Sequence, residues 1–168
     1  MRSIDIATDQ GTMLKPKELI SIRGAGPLTL TDRRAFNVLL DHAWGKDLLQ
    51  PHHQFTISTT DLKSDNQTNQ RLKQTLRKLQ QTLVVVTKAS GDEVTSQLLG
   101  STRVKANGDL TFSFPLELSG LLKDSSVFAK LDLEVMRSFS SKYAFALYEE
   151  VSRRINLSHQ MVEDLNVQ

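Results

Sequence analysis

The stretch TTDLKSDNQTNQRLKQTLRKLQQTL, residues 59–83, carries the pattern that decides the fold. A cluster of capping residues at positions 58–60 predicts a short helix through Leu62. A polar turn over residues 63–66 separates it from a second, longer helix predicted over residues 67–83. Four leucines of the longer helix recur at helical spacing and share one narrow face: Leu72, Leu76, Leu79 and Leu83. These are the parts of a helix-turn-helix.

The sequence that follows has the character of β-strands. Residues 84–87, 95–104 and 110–114 are β-branched or alternate between apolar and polar side chains. Asn107 and Gly108, between the last two segments, form a strong hairpin signal. A helix-turn-helix followed by a β-hairpin is the arrangement of a winged helix. We therefore predict an α+β fold, a winged helix with additional C-terminal helices.

The sequence before the helix-turn-helix predicts a strand at residues 19–23, a helix capped by Thr31 and a short strand at residues 54–58. Gly45 ends that helix. Its predicted core face consists of Phe36, Leu39, Leu40, Ala43 and Trp44.

The C-terminal part predicts helices at residues 115–122 and 133–139, with an extended segment at 127–131 between them. A terminal amphipathic helix follows within residues 138–157, with Glu149–Arg153 and Glu150–Arg154 as i,i+4 ion pairs. We expect its core face to be the apolar stripe Ala144, Leu147, Tyr148, Val151 and Ile155.

Composition limits the possible functions. A chain of 168 residues with 39% hydrophobic residues can close one core, and its net charge of +2 is only mildly basic. There are no cysteines, which excludes disulfides, thiolate nucleophiles and cysteine zinc sites. No apolar run approaches the length of a membrane span, and no signal peptide is recognisable. We expect a soluble protein of the bacterial cytoplasm.

Positive charge is concentrated in one part of the chain. Residues 66–91 contain five cations and no acidic residue. On the predicted second helix, Gln70, Gln74, Arg77 and Gln81 project opposite the leucines, with cations on both sides, so they could reach phosphates or base edges. An ordinary solvated helix face is the alternative. The candidate DNA-binding residues are Arg71, Lys73, Gln74, Arg77, Lys78, Gln81 and, on the wing, Arg103 and Lys105.

Arg103 and Lys105 have an alternative interpretation as charges that discourage strand pairing at a sheet edge. The four histidines, His42, His52, His53 and His159, show no metal-ligand spacing. Tyr143 and Tyr148 lie in the terminal helix, where core packing is the better interpretation than catalysis. No phosphate-binding glycine loop is present. We expect no cofactor, no metal and no enzymatic activity.

Three blocks, residues 15–44, 98–131 and 138–157, resemble the iteron-binding plasmid replication initiator family. The literal string SKYAFALYE, residues 141–149, is the most distinctive part of this resemblance. The resemblance implies the first of two tandem winged-helix domains, which mediates dimerisation and adds phosphate contacts, whereas the second domain supplies most base-specific contacts. The implied partners are double-stranded origin DNA, a second copy of the chain and host replication proteins such as a helicase.

The resemblance also implies a domain organisation and a set of roles. Residues 1–15 lack a strong hydrophobic period and are expected to be a flexible lead, whereas the resemblance implies that residues 16–157 are the winged-helix domain and residues 158–168 a linker or the start of a second domain. Arg71, Lys73, Arg77 and Lys78 are assigned to the DNA backbone, and the strands flanking Asn107 and Gly108 to dimerisation. The alternatives are a winged-helix transcription regulator, a nicking replication enzyme and a dimerisation domain without DNA contact.

Overall fold

The helices and strands of the computed structural model lie within residues 2–88 and 90–155, the part of the chain that the structure describes. Its α-helices are α1 Lys17–Ile20, α2 Leu30–Ala43, α3 Thr59–Leu62, α4 Asn69–Gln81, α5 Leu116–Asp124, α6 Leu133–Ser138 and α7 Lys142–Ile155. Its strands are β1 Thr12–Pro16, β2 Phe55–Ser58, β3 Leu83–Thr87, β4 Glu93–Gln97, β5 Thr102–Val104, β6 Asp109–Phe112 and β7 Phe128–Asp132.

The helix-turn-helix forms as the sequence predicts. Ser58 caps α3, and the Thr68 hydroxyl accepts a hydrogen bond from the Arg71 amide at the start of α4. Leu72, Leu76 and Leu79 are buried, and α4 packs on α2. The prediction for Leu83 is wrong: α4 ends at Gln81, and Leu83 lies in β3 with 58% of its surface exposed.

The wing is the hairpin of β5 and β6, and β2 completes an antiparallel sheet in the order β2-β6-β5. The single strand predicted over residues 95–104 is divided into β4 and β5. At the break, the Gly100 amide donates to the Ser113 carbonyl at 2.8 Å, and a Cβ on Gly100 would lie 2.8 Å from the same oxygen. Strands β3 and β4 instead form a separate hairpin, inserted between α4 and the wing.

The N-terminal elements begin earlier than the predicted domain boundary at residue 16. Residues 3–5 form a 3-10 turn, and β1 pairs with β7 so that Met13, Leu14 and Lys15 are buried. The strand predicted at residues 19–23 is wrong, since α1 ends at Ile20 and only Arg23 makes a β-bridge, to Val85.

The predicted cap of α2 is also wrong, by two residues. Thr29 rather than Thr31 is the N-cap, because the Thr29 hydroxyl accepts from the Asp32 amide while the Asp32 carboxylate accepts from the Thr29 amide. The predicted core face of α2 is confirmed: Phe36, Leu39, Leu40 and Ala43 are buried, and Trp44 packs at the edge of the core.

Helix α6 is held at its C-terminal end by a side chain of α2. The Arg34 guanidinium donates to the carbonyl oxygens of Met136, Arg137 and Phe139, which are among the last free carbonyls of the helix. Burial lowers the pKa of Arg34 from its ordinary value. The loop after α6 is thereby fixed to α2.

Helix α7 presents a different face to the core from the predicted one. Phe145, Glu149 and Ser152 are buried, whereas Leu147, Val151 and Ile155 are 64%, 46% and 75% exposed. The helix is thus turned by about 100° from the predicted orientation, close to one residue of rotation. The reason is that Glu149 is drawn into the core by partners on β1 and α2.

The predicted ion pairs of α7 are correct only in part. Glu150 contacts Arg154 at 3.8 Å as predicted and also contacts Arg153, whereas Glu149 pairs with Lys15 rather than Arg153. The predicted segment at residues 158–168 lies outside the described residues. Within the described part of the chain, no helix combines the length and the apolar character needed to cross a bilayer.

Candidate nucleic-acid interface

The face of α4 opposite its leucines is polar and open to solvent. Gln70, Gln74, Arg77 and Gln81 are all exposed. At 3.6 residues per turn these four positions lie within about 60° of one another around the helix axis. Within residues 2–88 and 90–155, the structure gives their side chains no hydrogen bond or ion pair. They form a free hydrogen-bonding surface, which we call the α4 stripe.

Two other glutamines of this region have internal partners. Gln80 Nε2 donates to the Gly100 carbonyl at 2.8 Å and to Thr102 Oγ1 at 3.2 Å, which ties the end of α4 to the start of β5. Gln67 Oε1 accepts from the Ser64 amide at 3.0 Å, which closes the turn before α4. The glutamines of the α4 stripe therefore differ from Gln67 and Gln80, because the described residues give their side chains no intramolecular hydrogen bond.

Cations flank the α4 stripe on both sides. Arg71 and Lys78 lie on one side, and Lys73 on the other. Arg71 and Lys73 are exposed. Lys78 already has an internal partner, because its Nζ lies 3.8 Å from Oδ2 of the buried Asp32, whose carboxylate accepts from the amide of the N-cap Thr29 of α2. The sequence pattern does not indicate this contact, since it depends on how α2 crosses α4.

The wing tip is attached to the helix-turn-helix. The Thr59 hydroxyl and amide both donate to the Gly108 carbonyl, at 2.8 and 3.0 Å. Gly108 has a φ of 92°, a conformation that favours glycine over residues with a Cβ. The turn predicted at Asn107 and Gly108 is thus confirmed, and the start of α3 fixes its position.

The two wing cations lie beside the three-stranded sheet. Arg103 on β5 and Lys105 after it are exposed, and both line a shallow cavity of about 310 Å³ together with Gln54 and Thr111. The contacts of Gln80 hold β5 to the end of α4, and those of Thr59 hold the wing tip to α3. All eight predicted residues therefore belong to one connected unit of helix-turn-helix and wing.

A polar groove of about 560 Å³ runs along one flank of α4. Arg71, Gln74 and Lys78 contribute to its walls, and so do the carboxylates of Asp32 and Asp65. A carboxylate repels phosphate, but the ammonium group of Lys78 lies next to Asp32 and offsets its charge. The groove thus combines donors for an anion with two acidic groups.

The residues considered for catalysis are the histidines and tyrosines named above, of which His159 lies outside the described residues. In the described part of the chain, no three His, Asp or Glu side chains are arranged to hold a metal ion. His42 Nε2 is hydrogen-bonded to the Thr56 carbonyl at 2.6 Å. The packing predicted for Tyr148 is confirmed, since it contacts Phe139 and its hydroxyl accepts from the Asp132 amide. For Tyr143 the prediction is wrong, because it is 77% exposed.

Comparison with known proteins gives two positive findings. Residues 12–152 match the family model described as "Initiator Replication protein, WH1". Among solved structures, the chain is similar to the Pi initiator protein, whose crystal structure is in complex with iteron DNA. The similarity has a TM-score of 0.66 at 16% identity and covers 90% of this chain and 67% of that one.

No curated protein sequence matches the chain at a significant level. The structural similarity, at its low identity, concerns the fold. The family match extends from β1 into α7, and so includes the helix-turn-helix and the wing. The chain therefore belongs to the initiator replication protein family, of which it carries the WH1 domain.

Proposed function

We propose that this chain binds double-stranded origin DNA, at repeated iteron sequences, as a non-enzymatic module of a plasmid replication initiator. The observation that carries the proposal is the α4 stripe, which is exposed and has no internal partner among the described residues, together with the exposed cations Arg71 and Lys73 beside it. The long cationic side chains of Arg71 and Lys73 suit the phosphate backbone. Family membership and the iteron complex of the similar Pi initiator support the same function.

The other residues of the interface follow from this arrangement. Arg77, Gln74 and Gln81 face the groove of the duplex, and Arg103 and Lys105 contact the backbone beside the wing. Lys78 contributes less than Arg71, because the carboxylate of Asp32 shares its charge. The expected site of action is the bacterial cytoplasm, where the plasmid resides.

We infer that the chain also associates with itself through its wing sheet. Strand β5 lies at the edge of the sheet order β2-β6-β5, and Val104 on this strand is 41% exposed. An open strand edge with an exposed apolar side chain can pair with its counterpart in a second copy. Light scattering on the chain and on Val104→Lys tests this proposal: a monomer at high concentration contradicts it. A helicase partner rests on the resemblance alone.

The test of DNA binding is a salt series with a short duplex. Each phosphate contact that a variant loses lowers the slope of log affinity against log salt by about 0.9. We expect Arg71→Ala with Lys73→Ala to flatten this slope by nearly two contacts. Lys123→Ala, which removes an exposed cation from α5, serves as the matched control and is expected to keep the wild-type slope.

Two results would contradict the proposal. The first is no binding of duplex DNA at low salt, and the second is an unchanged slope in the Arg71 and Lys73 variant.

A transcription regulator is the second candidate; it predicts tight binding to a promoter rather than to repeated origin sequences. Metal-dependent cleavage of single-stranded origin DNA, lost in Tyr143→Phe, would favour a nicking enzyme, because Tyr143 is the exposed tyrosine of α7.

A further inference from the structure

The hydrophobic core holds the two strands of the wing unequally. On β6, Leu110 and Phe112 are buried in the core. On β5, Arg103 and Val104 are exposed and Thr102 is half-buried, so none of the three residues that the structure describes for this strand is buried. A segment with few buried apolar contacts is held mainly by its hydrogen bonds. The position of β5 therefore depends on its hydrogen-bonding partners.

Two side chains outside the wing hold it at its two ends. At the base, Gln80 Nε2 on α4 donates to the Gly100 carbonyl at 2.8 Å and to Thr102 Oγ1 at 3.2 Å. At the tip, the hydroxyl and the amide of Thr59 on α3 donate to the Gly108 carbonyl at 2.8 and 3.0 Å. Thr59 is buried and Gln80 is half-buried. The wing is thus tied to α4 at one end and to α3 at the other.

The two wing cations lie next to these points of attachment. Arg103 directly follows Thr102, which Gln80 contacts. Lys105 belongs to the tip turn, because its carbonyl accepts from the Gly108 amide at 3.1 Å. Both cationic side chains are exposed, and within the described residues the structure gives neither of them an ion pair. A shift of the wing at either attachment therefore moves a cation.

The spacing between the wing cations and α4 matters for binding to a polyanion. Phosphates lie at fixed intervals along a duplex, so two cationic elements reach them together only at a matching separation. A mobile element must also be ordered when the complex forms, which costs affinity. Helix α4 is fixed by its buried leucines, and Gln80 lies on this helix. Its contacts with β5 therefore transmit the position of α4 to the wing.

We infer that Gln80 and Thr59 are positioning residues, which hold the wing at a fixed spacing from α4 so that the wing cations and the exposed cations of α4 bind phosphates of the same duplex. Both act through protein contacts and not through contact with DNA. The inference rests on the proposed function, since it requires that α4 and the wing face duplex DNA. It goes further because it assigns a role in binding to two uncharged side chains that face the protein.

The experiment is a salt series of duplex binding with variants of the full chain. Gln80→Met removes the amide donor and keeps the length of the side chain, and Thr59→Val removes the hydroxyl. The two substitutions together are expected to flatten the slope of log affinity against log salt by up to about 1.8, the value for two phosphate contacts, although no cation is removed. Each alone is expected to flatten the slope in the same direction, so a double variant that does not fold leaves the test intact.

Two matched substitutions serve as controls on α3. Thr59→Ser keeps the hydroxyl donor and is expected to keep the wild-type slope. Thr60→Val removes the hydroxyl of the exposed neighbouring residue, which does not contact the wing tip, and is expected to keep the slope as well. Thermal unfolding establishes that each variant is folded at the temperature of the binding assay.

A second background separates positioning from a general structural role. Arg103→Ala with Lys105→Ala removes both wing cations and is expected to flatten the slope by itself. In this background, Gln80→Met with Thr59→Val is expected to have no further effect on slope or affinity, because no wing cation is left to be positioned. A merely structural role in α3 or α4 would instead weaken binding equally in both backgrounds.

The outcomes distinguish this inference from the proposed function. An unchanged slope in the Gln80 and Thr59 variants would overturn the inference, and so would an equal loss of affinity with and without the wing cations. A wild-type slope in the Arg103 and Lys105 variant would overturn it as well. In these cases the proposed function stands if Arg71→Ala with Lys73→Ala still flattens the slope. Failure to bind any duplex at low salt would overturn both.

Discussion

Lys15 and Glu149 form a buried ion pair between the first strand and the last helix of the described fold. Lys15 Nζ donates to Glu149 Oε2 at 2.7 Å, and both side chains are less than a tenth exposed. Asn37 on α2 donates to the same carboxylate oxygen at 2.9 Å. The carboxylate thus joins β1, α2 and α7. Since α2 also packs on α4, this carboxylate helps to fix the position of α7 relative to the helix-turn-helix.

Removing either charge of this pair is expected to be costly. Lys15→Met leaves a buried carboxylate without its counter-ion, and Glu149→Gln leaves a buried ammonium, so each should lower the free energy of unfolding by about 3–5 kcal/mol. The double variant removes both charges and should lose less than the sum of the two single losses. Urea unfolding measures all three. Strict additivity would show that the two side chains do not interact.

The same contact explains why the sequence misleads about α7. Its pattern offers a continuous apolar stripe, and an amphipathic interpretation puts Leu147 and Val151 inside and Glu149 outside. The Lys15 partner of Glu149 is 134 residues away in the sequence, so no local period reports it. By contrast, the helical spacing correctly predicts that Leu72, Leu76 and Leu79 of α4 are buried, because apolar neighbours cover them and no charge competes for the core face.

The orientation of α7 can be tested with a matched pair of variants. Phe145 is completely buried, and Leu147, two positions along the helix, is 64% exposed. Phe145→Ala should cost about 3–5 kcal/mol of unfolding free energy, because it leaves a cavity beside Phe139. Leu147→Gln should change it by less than about 0.5 kcal/mol. Denaturant unfolding that reverses this order would restore the orientation predicted from the sequence.

For the candidate site, the sequence indicates which residue types are present but not which of their side chains form intramolecular hydrogen bonds. Charge and helical period suffice to select Arg71, Lys73 and Arg77, because those signals are local. Which glutamines are free is a tertiary property: Gln80 and Gln81 are neighbours in the sequence, yet only Gln80 is bonded to Gly100 and Thr102. The docking of the wing tip on Thr59 is also invisible in the sequence, since it joins residues 49 positions apart.

Asp41 at the end of α2 gives the stability a dependence on pH. Burial raises the pKa of this carboxyl above its ordinary value, while the neighbouring His42 partly opposes the shift. The folded state therefore holds the proton more tightly than the unfolded chain does. The contribution of Asp41 to the free energy of unfolding falls as the pH rises from its pKa in the unfolded chain to its higher pKa in the folded protein. Above both pKa values this contribution is lost completely.

Asp41→Asn removes this penalty. We expect the variant to be more stable than the wild type at neutral pH, and the difference to shrink as the pH falls below the pKa of the wild-type carboxyl. Urea unfolding of both proteins across the acidic range provides the comparison. A constant difference at every pH would mean that the ionisation of Asp41 does not contribute.

Lys78 and Arg77 are adjacent cations of α4 that should behave differently in the absence of DNA. Lys78 lies 3.8 Å from the buried carboxylate of Asp32, whereas Arg77 is exposed and projects on the α4 stripe. Lys78→Ala should therefore lower the free energy of unfolding by about 0.2–1 kcal/mol, the range of a partly exposed pair, and high salt should reduce this loss. Arg77→Ala should have no such salt-dependent effect.

In an Asp32→Asn background the loss from Lys78→Ala should disappear, because the neutral amide no longer attracts the ammonium group. If Lys78→Ala costs the same in both backgrounds, Lys78 does not brace α4 against α2, and its whole charge is then available to a phosphate.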